Sequence, residues 1–431
     1  MISDPAVTLP RDRGGLDASI DGERPRSCVG VRRHAFPLRV VLATGLILLG
    51  TAPVAWWYWR ARRPALELHT IESWIKNEQY GLAQKTLSEH LRRDPDDGAA
   101  RMMLARALGG RGDLAGCARE LHQVPAGWPQ KPLALYREAQ ANLLMNRARD
   151  AEAALRAIID ADGRMPSDLA VFHDASQELL SLYATENRWS EAREILWKVY
   201  PRATPLYRPT LLAMRILQEL ERLDPSVSVK RLRNFVNADR EDWEARRALA
   251  KAELALGHRS DALRDMLACL KARPEEPRVW RDYLNMLEVL GERDAFEAVL
   301  TRAPAIAETR PELWVARGQA RERNGDWTAA AADYHRALTL NPNLSNAHYR
   351  LASIELRLGH SVEAAEHRRR WKELEEARSA LRPAFDAYVE VQRRLPNDSP
   401  ELLASLRKLA EICRTLGWTR AAAGWNQLIV S

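Results

Sequence analysis

The sequence is poor in the residues that build disulfide frameworks and metal centres. Its 431 residues include only four cysteines, which lie far apart and form no CxxC pair. This spacing argues against a zinc site and against a disulfide framework. Cys117, Cys269 and Cys413 fall at small-residue positions of the repeated pattern described below. We therefore interpret them as small apolar core side chains.

Motifs that carry out chemistry are missing as well. The chain has ten histidines but no HExxH, no cysteine–histidine cluster and no GxSxG. The glycine-rich segment at 109–116 is not followed by the GK[ST] of a phosphate-binding loop. Acidic residues are numerous but scattered, so no acid–base pair can be named. We predict no catalytic residues, no metal site, no cofactor and no small-molecule substrate.

Charge of one sign is not concentrated anywhere in the chain. Basic residues number 65 and acidic residues 58, and the two signs are interleaved, with a net charge of +7. Nucleic-acid binding would need the basic residues gathered on one face, so we predict no nucleic-acid partner. Phenylalanine is scarce, whereas alanine, leucine and arginine are abundant, which favours helices over sheets.

One long uncharged run stands out in this charged sequence. Residues 40–59 read VVLATGLILLGTAPVAWWYW and contain no charged side chain. At about 1.5 Å per residue, such a helix spans about 30 Å, the thickness of the hydrocarbon core of a bilayer. The aromatic residues at 56–59 and the arginines that follow at once are typical of a membrane interface. We predict a transmembrane helix at 38–60, preceded by a disordered tail at 1–35.

The orientation of this segment rests on the basic residues beside it. Five arginines precede the run within residues 24–39, and four basic residues follow it within 60–76. This small margin favours a cytoplasmic N-terminus and a C-terminal domain on the exported (periplasmic or extracytoplasmic) side. The alternative is a cleaved signal peptide and a soluble exported protein, although Pro53 makes the cleavage pattern poor.

Beyond the run, helical stretches recur with short turns between them. The clearest unit is PELWVARGQARERNGDWTAAAADYHRALTLNP, which starts at Pro311. Its large residues are Trp314 at place 4, Trp327 at 17 and Tyr334 at 24; its small ones are Gly318 at 8, Ala330 at 20 and Ala337 at 27. Gly325 at place 15 suits the turn between two helices, because glycine accepts a left-handed backbone. Units starting at Trp243, Pro277 and Ser345 repeat this pattern at 34-residue intervals.

This pattern resembles the tetratricopeptide repeat, abbreviated TPR. The resemblance implies an all-α fold, a right-handed α-solenoid of antiparallel helix pairs, here preceded by one transmembrane helix. We divide the array into N-terminal TPR units at 64–206, a degenerate helix pair at 207–242 and central units in strict register at 243–374. A helical insertion at 375–402 and a TPR-like capping unit at 403–431 complete it.

The family resemblance also suggests a binding face. In TPR proteins, places 2, 5, 9 and 12 of each first helix line a concave groove. In the central units, such groove positions hold Arg247, Lys251, Arg278, Arg281 and Asn285, with Arg350 at place 6 two units later. Some members bind a partner's C-terminal carboxylate with residues placed like Arg281, Asn285 and Arg350, although Ala316 replaces an asparagine of that pattern.

Two interpretations of these charged residues remain open. In the first, they form one basic strip for an acidic or C-terminal carboxylate segment of a partner. In the second, they are solvated charges with glutamate neighbours such as Glu244 and Glu288. For the whole chain, we predict a membrane-anchored TPR scaffold for protein–protein interaction in an envelope assembly or secretion complex. The alternative is a non-catalytic regulatory subunit of a membrane enzyme complex, for example in glycan synthesis or protein processing.

Overall fold

A computed structural model of the chain describes residues 68–161, 169–220, 224–302, 309–396 and 398–430. The predicted tail at 1–35 and the predicted transmembrane helix at 38–60 lie outside these residues. Across the described ranges, regular secondary structure is entirely helical, as the all-α prediction requires. None of the helices in those ranges is both long and apolar enough to cross a bilayer.

The helices follow one another with short connections. The N-terminal part contains α1 (Leu68–Lys76), α2 (Tyr80–Leu91), α3 (Gly98–Gly110), α4 (Leu114–His122), α5 (Lys131–Leu144), α6 (Ala148–Asp160), α7 (Leu169–Thr185) and α8 (Trp189–Val199). The middle contains α9 (Arg208–Leu220), α10 (Pro225–Ala238), α11 (Trp243–Ala255), α12 (Arg259–Ala272), α13 (Pro277–Leu290) and α14 (Arg293–Leu300). The C-terminal part contains α15 (Pro311–Arg323), α16 (Trp327–Leu340), α17 (Ser345–Arg357), α18 (Ser361–Arg394), α19 (Pro400–Thr415) and α20 (Thr419–Val430).

The predicted turn positions are left-handed in the structure. Gly325, between α15 and α16, has a φ of 79°, a conformation that costs glycine nothing because it has no Cβ. The glycines at place 15 of the units that start at Trp243, Pro277 and Ser345, namely Gly257, Gly291 and Gly359, also have positive φ, as do Gly112 and Gly417. Asn146 and Asn187 occupy the same turn in two further hairpins, consistent with the tolerance of asparagine for this conformation. The register predicted from sequence is therefore confirmed at these turns.

The small-residue places lie where the helices of a hairpin touch. Ala330 of α16 is fully buried, and a Cβ added at Gly318 of α15 would come within 2.9 Å of the Tyr334 ring. Tyr334 itself is fully buried and fills the space beside the contact. Cys269 likewise occupies a small-residue place and is buried. Burial raises the pKa of Cys269 to about 12, so its thiol is a packed, unreactive side chain.

The predicted helix pair at 207–242 does not pack as a pair. Leu212 and Ile216 of α9 belong to a core cluster formed mainly by α18, α19 and α20. Leu232 and Phe235 of α10 pack instead with α11 and with Leu182 of α7. The chain thus leaves the stack of hairpins as α9 and rejoins it as α10. The apolar stripe of α9 is covered by helices almost two hundred positions further along the sequence.

The predicted insertion at 375–402 is largely the second half of a long helix. Helix α18 runs without interruption from Ser361 to Arg394 and contains Pro383. Pro383 is exposed, whereas buried residues recur on the opposite side of the helix at Leu374, Leu381 and Tyr388. Burial of this stripe against α19 and α20 offsets the backbone hydrogen bond that the proline removes.

Candidate partner-binding groove

The six predicted groove residues are carried by three first helices. Arg247 and Lys251 lie on α11, while Arg278, Arg281 and Asn285 lie on α13. These helices occupy equivalent positions in successive hairpins, so equal places of the repeat are brought side by side. Arg350 lies on α17, two hairpins further on.

Three of the cations converge on one buried carboxylate, Asp282. Arg247 donates to it through Nη1, Lys251 Nζ lies 3.3 Å from its Oδ2, and Arg281 Nε donates to its Oδ1 at 2.9 Å. Burial opposes ionisation of Asp282, but these three cations hold its pKa well below the usual range. Asp282 is therefore the anion around which this end of the groove is built.

Arg247 is a structural residue in this arrangement. Its side chain is 0% exposed and also contacts Glu244 at 3.3 Å, on its own helix. A side chain without accessible surface cannot contact a partner directly. Arg247 was predicted to line the groove, but the structure places it beneath that face. Asp282 and Glu244 neutralise its charge in this buried position.

Arg278 is also engaged by the chain's own acids. Its guanidinium donates to Glu191 at 2.6 Å, to Glu244 at 2.8 Å and to Glu276 at 2.8 Å. Glu191 belongs to α8, so this residue ties the central hairpins to the N-terminal ones. The three carboxylates surround a side chain that is 16% exposed.

A second arginine extends the ion network toward the N-terminus. Arg188 contacts Glu152 at 2.6 Å, Glu186 at 2.9 Å and Glu191 at 2.8 Å, and its guanidinium lies 4.4 Å from the centre of the Tyr183 ring. Burial raises the pKa of Glu186 to about 8, although the charge of Arg188 opposes this shift. Burial thus outweighs the nearby positive charge at Glu186.

The remaining predicted residues are closer to solvent. Asn285 is exposed, and the side chains of Lys251 and Arg281 are 33% and 28% exposed. Arg350 pairs instead with Glu322 on α15, at 3.3 Å. The accessible part of the predicted site is thus Lys251, Arg281 and Asn285, with Arg350 on a separate helix.

The prediction from sequence contained only part of the acidic half of the site, namely Glu244 in its second interpretation. Asp282, Glu244 and Glu191 together neutralise the arginines that the first interpretation assigned to a basic strip. A signal was present for two of them: Glu244 and Arg278 are 34 residues apart, and Arg247 and Asp282 are 35 apart. Opposite charges one repeat apart are expected to be neighbours in a stacked array.

Family comparisons identify the repeat. Two family models, each described as "Tetratricopeptide repeat", match residues 311–344 and 247–311. These ranges fall on the central hairpins, where the turn glycines Gly257, Gly291 and Gly325 have positive φ. The chain contains tetratricopeptide repeats.

Solved structures similar to this chain include one described as a tetratricopeptide repeat protein. MamA from Desulfovibrio magneticus RS-1 is 20% identical, with 39% of this chain and 96% of that chain covered and a TM-score of 0.32. A tetratricopeptide repeat protein from Parabacteroides merdae ATCC 43184 is 14% identical to this chain. The match covers 60% of this chain and 98% of that chain, with a TM-score of 0.30. A monomeric IFIT1 mutant with Gppp-AAAA is 14% identical to this chain. The match covers 82% of this chain and 94% of that chain, with a TM-score of 0.35.

Two further results bear on chemistry. No curated protein matches the chain. Within the described ranges, no three or more histidine, cysteine, aspartate and glutamate side chains are grouped so that they could hold a metal ion. The TPR region is best understood as a protein-interaction module, because TPR hairpins present faces to other polypeptides.

Proposed function

We propose that the chain is a membrane-anchored TPR scaffold that holds a partner protein against the face formed by α11 and α13. The observation that carries this proposal is the run of TPR hairpins in one register, matched by family models at 247–344. Lys251, Arg281 and Asn285 supply donors at the accessible side of that face. A partner segment with acidic side chains or a C-terminal carboxylate suits these donors.

The ion network beneath the face supports this role by keeping it rigid. Asp282 holds Arg247, Lys251 and Arg281 in place, and Arg278 links α13 to α8. Prearranged donors lose less side-chain entropy when a partner binds. Because Asp282 already neutralises part of their charge, shape and hydrogen bonding should contribute more to binding than long-range attraction.

The membrane anchor is the second part of the proposal. Residues 40–59 are uncharged and end in an aromatic belt followed by arginines. The full chain should therefore stay in the membrane pellet after a carbonate wash, whereas a chain lacking residues 1–63 should appear in the supernatant. Full-length protein in the wash supernatant would remove the anchor from the proposal.

We place the TPR region on the exported side of the membrane, in an envelope assembly or secretion complex, on the basis of the flanking basic residues. Affinity purification of the full chain from detergent-solubilised membranes tests the type of complex. Assembly or secretion proteins among the partners support the scaffold. A single stoichiometric enzyme would favour the regulatory-subunit alternative instead.

A further inference from the structure

A cavity of about 650 Å³ lies where the C-terminal helices pack back on the middle of the chain. Its walls come from α8 and α9 on one side and from α18 and the α19–α20 turn on the other, with the loop between α16 and α17 at its edge. The cavity exists only because α9 leaves the hairpin stack and is covered by α20. It is separate from the α11–α13 face considered above.

Arg215 is the buried charge of this cavity. Its side chain is 4% exposed, its guanidinium carbon lies 3.8 Å from the centre of the Trp418 ring, and Nη1 donates to Glu219 at 3.1 Å. Glu219 is itself 42% exposed and so is a partly hydrated partner. Burial lowers the pKa of Arg215, and the charge of Glu219 opposes this shift.

The lining of the cavity carries an excess of positive charge. Four arginines line it, Arg193, Arg215, Arg378 and Arg420, against two acids, Glu194 and Glu219. The first turn of α20 also borders the cavity and contains no acidic residue. The free N–H groups of a helix N-terminus favour anions. The excess of arginines and the N-terminus of α20 together favour the binding of negatively charged groups from solvent.

An aromatic surface continues the cavity beyond Arg378. A neighbouring cavity of about 500 Å³ shares Asn343 and Arg378 with the first one. It is bordered by Tyr349 and Trp371, whose ring centres lie 5.2 Å apart. Tyr349 is 48% exposed. We call the two connected cavities the closure groove.

We propose that the closure groove binds an acidic, extended segment of a partner polypeptide. Carboxylates of the segment would pair with Arg420, share Arg378 with its partner Glu375 and approach Arg215, while an aromatic or aliphatic side chain would pack on Tyr349 and Trp371. Glu194, Glu219 and Glu375 disfavour a nucleic acid, whose continuous phosphates would meet these acids. An acidic peptide, unlike a nucleic acid, can place neutral residues opposite these acids. The proposals for the closure groove and for the α11–α13 face are independent, so either can be wrong without affecting the other.

The test uses short synthetic probes and the purified full chain in detergent micelles. The probes are fluorescein-labelled Glu-Gly-Glu-Gly-Glu-Phe, its Lys-Gly-Lys-Gly-Lys-Phe counterpart and a labelled hexauridylate. Fluorescence anisotropy gives the affinities at low and high salt. We expect the acidic peptide to bind most tightly and to weaken as salt rises, because the paired groups are partly exposed.

Variants of the exposed arginines keep the test independent of folding. Arg378→Glu and Arg420→Glu should each weaken acidic-peptide binding about tenfold, whereas Arg407→Glu, the same exchange on the exposed side of α19, should not. Circular dichroism should show unchanged helicity for all three. The proposal is overturned if the acidic peptide does not bind, if the basic peptide binds equally, if hexauridylate binds more tightly, or if Arg407→Glu has the same effect.

Discussion

At the scale of single residues, Arg278 illustrates how the chain uses its abundant charges. Its side chain is mostly buried and donates to Glu191, Glu244 and Glu276. Hydrogen-bonded, partly buried ions of this kind contribute more than exposed pairs, because losing one partner leaves the others uncompensated. Arg278 thereby joins α8, α11 and α13.

We predict that Arg278→Glu destabilises the protein by about 3 kcal/mol, since it places a fourth carboxylate among three. Urea denaturation followed by circular dichroism measures the change. Arg264→Glu on α12 is the matched control, because Arg264 is 66% exposed and pairs with Asp261 in the preceding turn of its own helix. Equal denaturation midpoints for the two variants would show that the network does not stabilise the fold.

Glu186 gives a pH-dependent prediction. Burial raises its folded-state pKa from 4.5 to about 8, so between these values the folded protein holds a proton that the unfolded chain releases. Stability contributed by this group is therefore complete below pH 4.5 and is lost as the pH rises toward 8. Glu186→Gln should remove that loss. Melting temperatures of both proteins across this range test it, and parallel curves would contradict it.

The site was only partly predictable at this scale. Repeat places were enough to put the six cationic and amide residues on first helices, but exposure depends on neighbours in three dimensions. Arg247 and Lys251 occupy similar groove positions, yet one is fully buried and the other partly exposed. The difference arises because Asp282 and Glu244 enclose Arg247, and no pattern within a single unit reports this.

At the scale of helices, the contact between the two helices of a hairpin depends on small side chains. Ala330 of α16 is 0% exposed and packs with Tyr334 and Leu351. We predict that Ala330→Leu costs about 1–3 kcal/mol through overpacking. The same exchange at Ala332, which is exposed on the same helix, should stay within about 0.5 kcal/mol. Thermal unfolding of both variants is the measurement, and equal shifts would refute the assigned register.

Glu322 on α15 takes part in two side-chain contacts that its place in the repeat does not predict. From the sequence it reads as an exposed charge on α15, so its removal should cost little. In the structure it accepts from the Tyr334 hydroxyl at 2.9 Å and pairs with Arg350 at 3.3 Å. Ala332 is therefore the better control position.

Periodicity predicted most of the helices because each hairpin repeats the same local rules. Turn residues, small crossing residues and the central hairpins all follow from the 34-residue register. Helix α18 runs through the predicted boundary at 374/375 between the central units and the insertion, and it also continues through Pro383. Its continuity depends on the buried stripe of Leu374, Leu381 and Tyr388, whose partners lie on other helices.

At the scale of the whole described region, the packing of α9 against α20 departs from a simple linear array. In a linear array each unit contacts only its sequence neighbours. Here Trp425 of α20 is fully buried in the cluster that contains Leu212 and Ile216 of α9. A Cβ added at Gly424 would lie 2.8 Å from a methyl carbon of Leu212, so the two helices approach closely. Local sequence rules cannot report such a distant contact.

This contact predicts a long-range effect of a single substitution. Trp425→Ala should destabilise the C-terminal region by about 3–5 kcal/mol and should also expose the apolar face of α9. Hydrogen exchange should therefore rise in residues 208–220 as well as in α19 and α20. Faster exchange confined to α19 and α20 would show that α9 holds its place without them.

The proposal that the TPR region holds a partner protein is tested most directly by site-specific photo-cross-linking in intact cells. A benzophenone amino acid is introduced in the full chain at Asn285, on the accessible side of the α11–α13 face, and in a second chain at Arg264, on the exposed side of α12. We predict a discrete cross-linked species from position 285 that is absent from position 264 and weaker when Arg281 is replaced by alanine. Equal or absent cross-linking at the two positions would contradict the account.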